Sequence, residues 1–185
     1  MRMRFGGSGK PDGDSIQLLA SILVYYPEIG MVDYEPKTDC MQFSFALKEI
    51  PAREEFEQQK DFIGESLLAY HSLEGFFDAQ ITISLEGQDG TAFLRVTRDV
   101  ATLSRGEIDL LAALVREKFA QTLLKEDEPE PMIYRAMEDY AAGNEGYPNL
   151  PDDNIDHMIG SLKIHRLPEH VVGIREQGRV MVYHK

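Results

Sequence analysis

Three stretches of the chain carry residue types that do chemistry at spacings worth weighing. The first is Gly6-Gly7-Ser8-Gly9-Lys10, between a strand-like run at 1–5 and a helical pattern. Glycine-rich loops at helix N-termini cradle phosphate through backbone N–H groups. Gly7, Gly9 and Lys10 are therefore candidate phosphate contacts. A nucleotide-binding P-loop also needs a glycine where this chain has Arg4, and a serine or threonine where it has Pro11. A pliable entry loop accounts for these departures better than a phosphate site does.

The second stretch is Asp152-Asp153-Asn154-Ile155-Asp156-His157. On a helix, Asp153, Asp156 and His157 share a face, and carboxylate oxygens with an imidazole suit manganese, iron or zinc. Asp152, Asp156 and His157 are the candidate ligands, with His165 and His170 further along. A divalent metal is the one cofactor the sequence raises. The plainer reading is that acids in a first helical turn complement the helix dipole and cap free N–H groups.

The third stretch lies between these two in the chain. Met132, Met137 and Tyr140, with Tyr134 and Tyr147 nearby, form a methionine- and tyrosine-rich stripe flanked by acids. Such segments dock into partner grooves, and methionine adapts to irregular surfaces. The competing reading packs the stripe onto the protein's own sheet. With 32 acidic residues, neighbouring carboxylates are inevitable. An acid–base pair needs a fixed separation in a cleft, so no pair is nominated. There is no G-x-S-x-G elbow and no H-E-x-x-H. Ala92-Phe93-Leu94-Arg95-Val96 lacks the glycine and second aromatic of an RNA-binding strand.

The elements that must position these residues follow from hydrophobic period and turn chemistry. Residues 16–26 repeat Ile16, Leu19, Ala20 and Leu23 at helical spacing, with Asp14 or Ser15 as N-cap and Pro27 closing the helix. Residues 31–34 and 40–47 read as a hairpin, with Met41, Phe43, Phe45 and Leu47 on one face. A long helix over 52–73 carries Phe56, Ile63, Leu67 and Tyr70, with His71 beside them as a structural residue, and ends at Gly75. Strands at 79–85 and 92–100 flank Asp89-Gly90, a strong hairpin signal. Ser104 and Glu107 form a capping box for a helix striped by Ile108, Leu111, Ala112, Val115, Phe119 and Leu123. Later, 152–162 reads as a short helix and 171–183 as a final hairpin turning at Glu176-Gln177-Gly178.

These elements predict an α+β fold: an antiparallel sheet with helices on one face. Counting 1–5 as a strand gives a ferredoxin-like βαββαβ order; without it, a related αββ-αββ layered sandwich. Glu126-Asp127-Glu128-Pro129-Glu130-Pro131 marks a change of composition. The expected division is an α+β core domain at 1–125, then an acidic linker, short helices and a C-terminal β-hairpin at 126–185.

Composition narrows the function classes. The single cysteine, Cys40, sits in a strand-like run as a small packing hydrophobe and permits no intrachain disulfide. Net charge of −13 disfavours general binding to nucleic acid or anionic membrane. No apolar run reaches the ~18–20 residues that span a bilayer. The basic N-terminus has no apolar core of a signal peptide, so the expected location is the cytoplasm. The preferred expectation is a non-catalytic protein-binding or regulatory protein whose C-terminal arm engages a protein partner or a second copy. The alternative is a metal-assisted or acid–base enzyme with its site at the junction of core and tail.

Overall fold

The computed structural model describes residues 13–125 and 155–184. The strand expected at 1–5, Gly7, Gly9 and Lys10, the stripe of Met132, Met137 and Tyr140, and Asp152 lie outside the described residues. The elements run α1 (Gly13–Tyr25), β1 (Met31–Glu35), β2 (Cys40–Leu47), α2 (Arg53–Leu73), β3 (Ile81–Gln88), β4 (Thr91–Asp99) and α3 (Arg105–Lys118). After the acidic stretch come α4 (Ile155–Ile164), β5 (Val171–Glu176) and β6 (Arg179–His184).

All six strands form one antiparallel sheet in the order β3-β4-β2-β1-β5-β6. The mixed α+β architecture expected from the sequence is the one observed. The C-terminal hairpin joins it directly: β5 pairs with β1, Val32 opposite Gly173 and Tyr34 opposite Val171. Residues on both sides of the acidic stretch thus share one sheet.

Strand β2 lies at the centre because its inward positions are the largest apolar run. Met41, Phe43, Phe45 and Leu47 are all fully buried. Helices cover that face as a second layer. α1 packs over β1, β5 and β6, α2 lies against β3, and α3 and α4 fill the middle between them. Leu18, Leu19, Ile22 and Leu23 of α1 join Ile108, Leu111 and Val115 of α3 and Ile155, Ile159 and Leu162 of α4 in one core. α1 starts at Gly13, ahead of the expected cap at Asp14 or Ser15. A first helical turn makes no backward hydrogen bonds, so its boundary is weakly written in sequence.

Two of the hairpins close with two-residue turns in which both central residues are left-handed: Asp89 (φ 51°) with Gly90 (φ 84°), and Gln177 (φ 50°) with Gly178 (φ 70°). This turn matches the twist of paired strands. β3 begins at Ile81 rather than 79, because Gln80 is drawn into the interaction described below.

Gly173 is the point where the C-terminal hairpin meets α1. A Cβ there would lie 2.9 Å from Leu23 Cδ1 and 3.3 Å from Leu19 Cβ. Overpacking a filled core costs about 1–3 kcal/mol. Gly173→Ala is therefore expected to lower the melting temperature of the whole domain in a single transition. An unchanged melting temperature would show that β5 does not pack tightly on α1.

Candidate functional site: a buried charged network

The period of two along β4 turns Ala92, Leu94, Val96 and Arg98 toward the helices. The first three are core residues; the fourth is an arginine with 0% of its side chain exposed. A guanidinium cannot shed its charge in a protein, so each of its five N–H groups needs an acceptor. Arg98 finds them on three surrounding segments. Nε donates to Glu107 Oε1 on α3, and Nη1 donates to the Gln80 carbonyl and to Asp99 Oδ1. Nη2 donates to Thr102 Oγ1 at 2.9 Å and to Glu107 Oε2 at 3.2 Å. It also lies 2.8 Å from His71 Nε2 at the end of α2.

The partners are bound to one another. Asp99 Oδ1 accepts from the Gln80 N–H at 2.7 Å, and Oδ2 accepts from both the backbone N–H and the hydroxyl of Thr102. His71 Nε2 is 3.0 Å from Glu107 Oε2, while its Nδ1 is buried without a hydrogen-bond partner. Ser104 caps α3 as expected, accepting from the Glu107 N–H at 3.2 Å. The Glu107 carboxylate, however, turns into the core toward Arg98 instead of completing the box. Tyr70, expected in the buried stripe of α2, is only half-buried; its hydroxyl meets Ser104 Oγ at 3.2 Å, and His71 takes the inward place.

Electrostatics follow from this packing. Burial pulls the Arg98 pKa down, but Glu107 and Asp99 outweigh it, and the net direction is up. Burial pushes the Asp99 carboxyl up, yet the hydrogen bonds from Thr102, Arg98 and Gln80 overcome it and hold the group down at about 2. Lys163 on α4 sits within the field of Asp99, Asp156 and Glu107. Desolvation nonetheless lowers its pKa. Both oxygens of Glu107 and of Asp99 are engaged, as are the Arg98 donors. The network holds three segments together and leaves no free carboxylate oxygen on these two acids to take a substrate proton.

Two of the candidate ligands suggested by sequence fall among the described residues. Asp156 and His157 lie in the first turn of α4, both exposed. Asp156 Oδ1 accepts from the Arg105 N–H at 3.1 Å and so caps the start of α3. Among the described residues, no cluster of three or more histidine, cysteine or acidic side chains is arranged to hold a metal. His170 Nε2 donates to Asp33 Oδ1 at 2.8 Å beside an open depression lined by Glu35, Lys37, Leu167 and Glu169. No described helix is long and apolar enough to cross a membrane. Cys40 is half-buried at the start of β2.

Sequence reasoning missed Arg98 although the signal was present. Strand alternation alone places a cation inward, and an inward cation demands acceptors.

Removing one member of a buried ion pair strands the other and costs about 3–5 kcal/mol. Arg98→Met is expected to lose that much in urea unfolding. The double substitution Arg98→Met with Glu107→Leu is expected to recover part of it, because the buried Glu107 carboxylate is then no longer left without its cation. A single variant within about 1 kcal/mol of wild type would contradict a bracing role. The lowered pKa of Asp99 has a defined sign. Its contribution to stability is complete above the unfolded value, near 4, and is lost as pH falls toward about 2. Asp99→Asn is expected to flatten the fall in stability across that acid window, read by denaturant midpoints at successive pH values. An equally steep fall in the variant would assign the acid sensitivity to other carboxylates.

No family model, no curated protein and no solved structure matches this chain.

Proposed function

We infer that the chain is a non-catalytic protein-binding protein that docks through the end of α2 and the segment following it. The observation that carries this reading is the exposure of Leu73 (87%) and Phe77 (85%), with Phe76 and Leu68 also exposed. Isolated exposed apolar residues are ordinary, but a group of large ones at one end of an element marks an interaction surface.

The buried network supports the reading by explaining how these side chains are held. The backbone N–H of Phe76 donates to the His71 carbonyl at 2.8 Å, and the Phe76 ring meets the His71 imidazole edge-on, centroids 6.2 Å apart. Gly75, with φ of 85°, turns the chain off the helix. At the far end of the segment, Gln80 is bound through its N–H to Asp99 and through its carbonyl to Arg98. The segment 74–80 is thus fastened at both ends to groups in the core, and its aromatic residues project from a fixed base. Large rigid side chains in a fixed frame lose little entropy on binding, which is what makes aromatic anchors effective.

A partner captured by the wild-type chain and rebuilt from purified components supplies the test. Titration calorimetry is expected to show the Leu73→Ser, Phe77→Ser double variant binding at least about tenfold more weakly, or about 1.4 kcal/mol. Its melting temperature should hold, since surface substitutions change stability by only about 0.5 kcal/mol. Equal affinity for wild type and variant would sink the reading.

A further inference from the structure

The surface around Phe77 has a charge as well as a shape. Between Asp61 and Gln80 the chain presents four exposed carboxylates: Asp61, Glu65, Glu74 and Asp78. The one basic side chain in that span is His71, which is buried. Glu74 and Asp78 directly adjoin Leu73 and Phe77, and Glu65 precedes Leu68 on the exposed side of α2. Lys60, the basic residue before this span, is engaged by Glu57 at 2.6 Å.

We propose that this surface binds a cationic amphipathic segment of a partner protein, an apolar face set between lysines or arginines. The proposal rests on the docking reading above and adds the sign of the partner. An apolar centre excludes water and sets the lifetime of a complex, while rim charges steer encounter and select the partner. A carboxylate rim selects cations. A second copy of this chain is a poor occupant, because a two-fold axis through the patch brings one acidic rim against another. The chain's own stretch at Glu126-Asp127-Glu128 carries the same sign and is disfavoured for the same reason.

The chain has no tryptophan, so a synthetic peptide with a single tryptophan reports its own binding by fluorescence. The probe is a leucine/lysine amphipathic peptide, compared with its leucine/glutamate analogue. The full chain is expected to bind the lysine peptide and not the glutamate peptide, with affinity falling as salt rises. Leu73→Ser with Phe77→Ser is expected to weaken lysine-peptide binding at least tenfold. Glu74→Lys with Asp78→Lys is expected to weaken it comparably and to admit the glutamate peptide. Glu169→Lys with Glu176→Lys, an equal charge change at exposed positions before and on β5, away from the β3 side where α2 packs, controls for the overall charge of −13 and should have a much smaller effect.

Equal weakening by the Glu169, Glu176 pair and by the Glu74, Asp78 pair overturns the proposal in favour of diffuse attraction. Tight binding of the glutamate peptide to wild type overturns the sign but leaves the docking surface standing, provided that Leu73 and Phe77 still matter. If the Leu73, Phe77 variant binds both peptides as wild type does, the docking reading itself fails. Sedimentation showing a wild-type dimer that this variant converts to monomer overturns the proposal in favour of a second copy.

Discussion

A guanidinium fully removed from water is the constraint on which this structure turns. Burying an unpaired charge is prohibitive, and even a paired one gains little unless every donor is met. Arg98 meets that condition only because α2, the 74–80 segment and the start of α3 converge on the end of β4. None of these segments can shift without leaving a buried N–H or carboxylate unsatisfied. The network is therefore better understood as fixing position than as adding stability. A hydrophobic cluster of equal volume would hold the layers together as well, but it would allow them to slide.

That distinction connects the interior to the surface. Apolar packing is tolerant of small displacements, and the helix layer here rests largely on aliphatic contacts among α1, α3, α4 and the sheet. The end of α2 is different. His71 faces Arg98 and Glu107, Phe76 folds back against His71, and Gln80 is bound on both its backbone groups. A segment with exposed aromatic and aliphatic anchors is thereby held by directional hydrogen bonds as well as by packing. Exposed phenylalanine and leucine carry an aggregation liability. The carboxylates beside them and the net charge of −13 oppose it by keeping copies apart.

What the sequence disclosed and what it withheld divide along a physical line. Features written within a few residues were legible: the inward stripe of Met41, Phe43, Phe45 and Leu47, the turn at Asp89-Gly90, and the Ser104 cap. Features that depend on segments far apart in the chain were not. Nothing local in Val32 or Gly173 announces that β1 and β5 pair, yet that pairing brings the C-terminal hairpin into the main sheet. Glu107 shows how one residue carries two messages. Its spacing from Ser104 signals a cap, while its carboxylate answers Arg98, a residue whose inward position only strand alternation reveals. The site was thus half legible. Alternation placed the cation, but the identity of its acceptors required the fold.

Asp156 extends the same reasoning to the other helices. In sequence it belongs to a cluster of acids suited to a metal. In the structure it caps the first turn of α3 from the first turn of α4, accepting the Arg105 N–H. Two helix N-termini meet there, and one carboxylate serves the positive end of both dipoles. The start of α3 is consequently held from two sides, by Asp156 outside and by Glu107 within. Because α3 carries Glu107, fixing its first turn also fixes the acceptor that Arg98 needs. The acidic first turn of α4 thus supports the buried arginine, and through it the exposed end of α2.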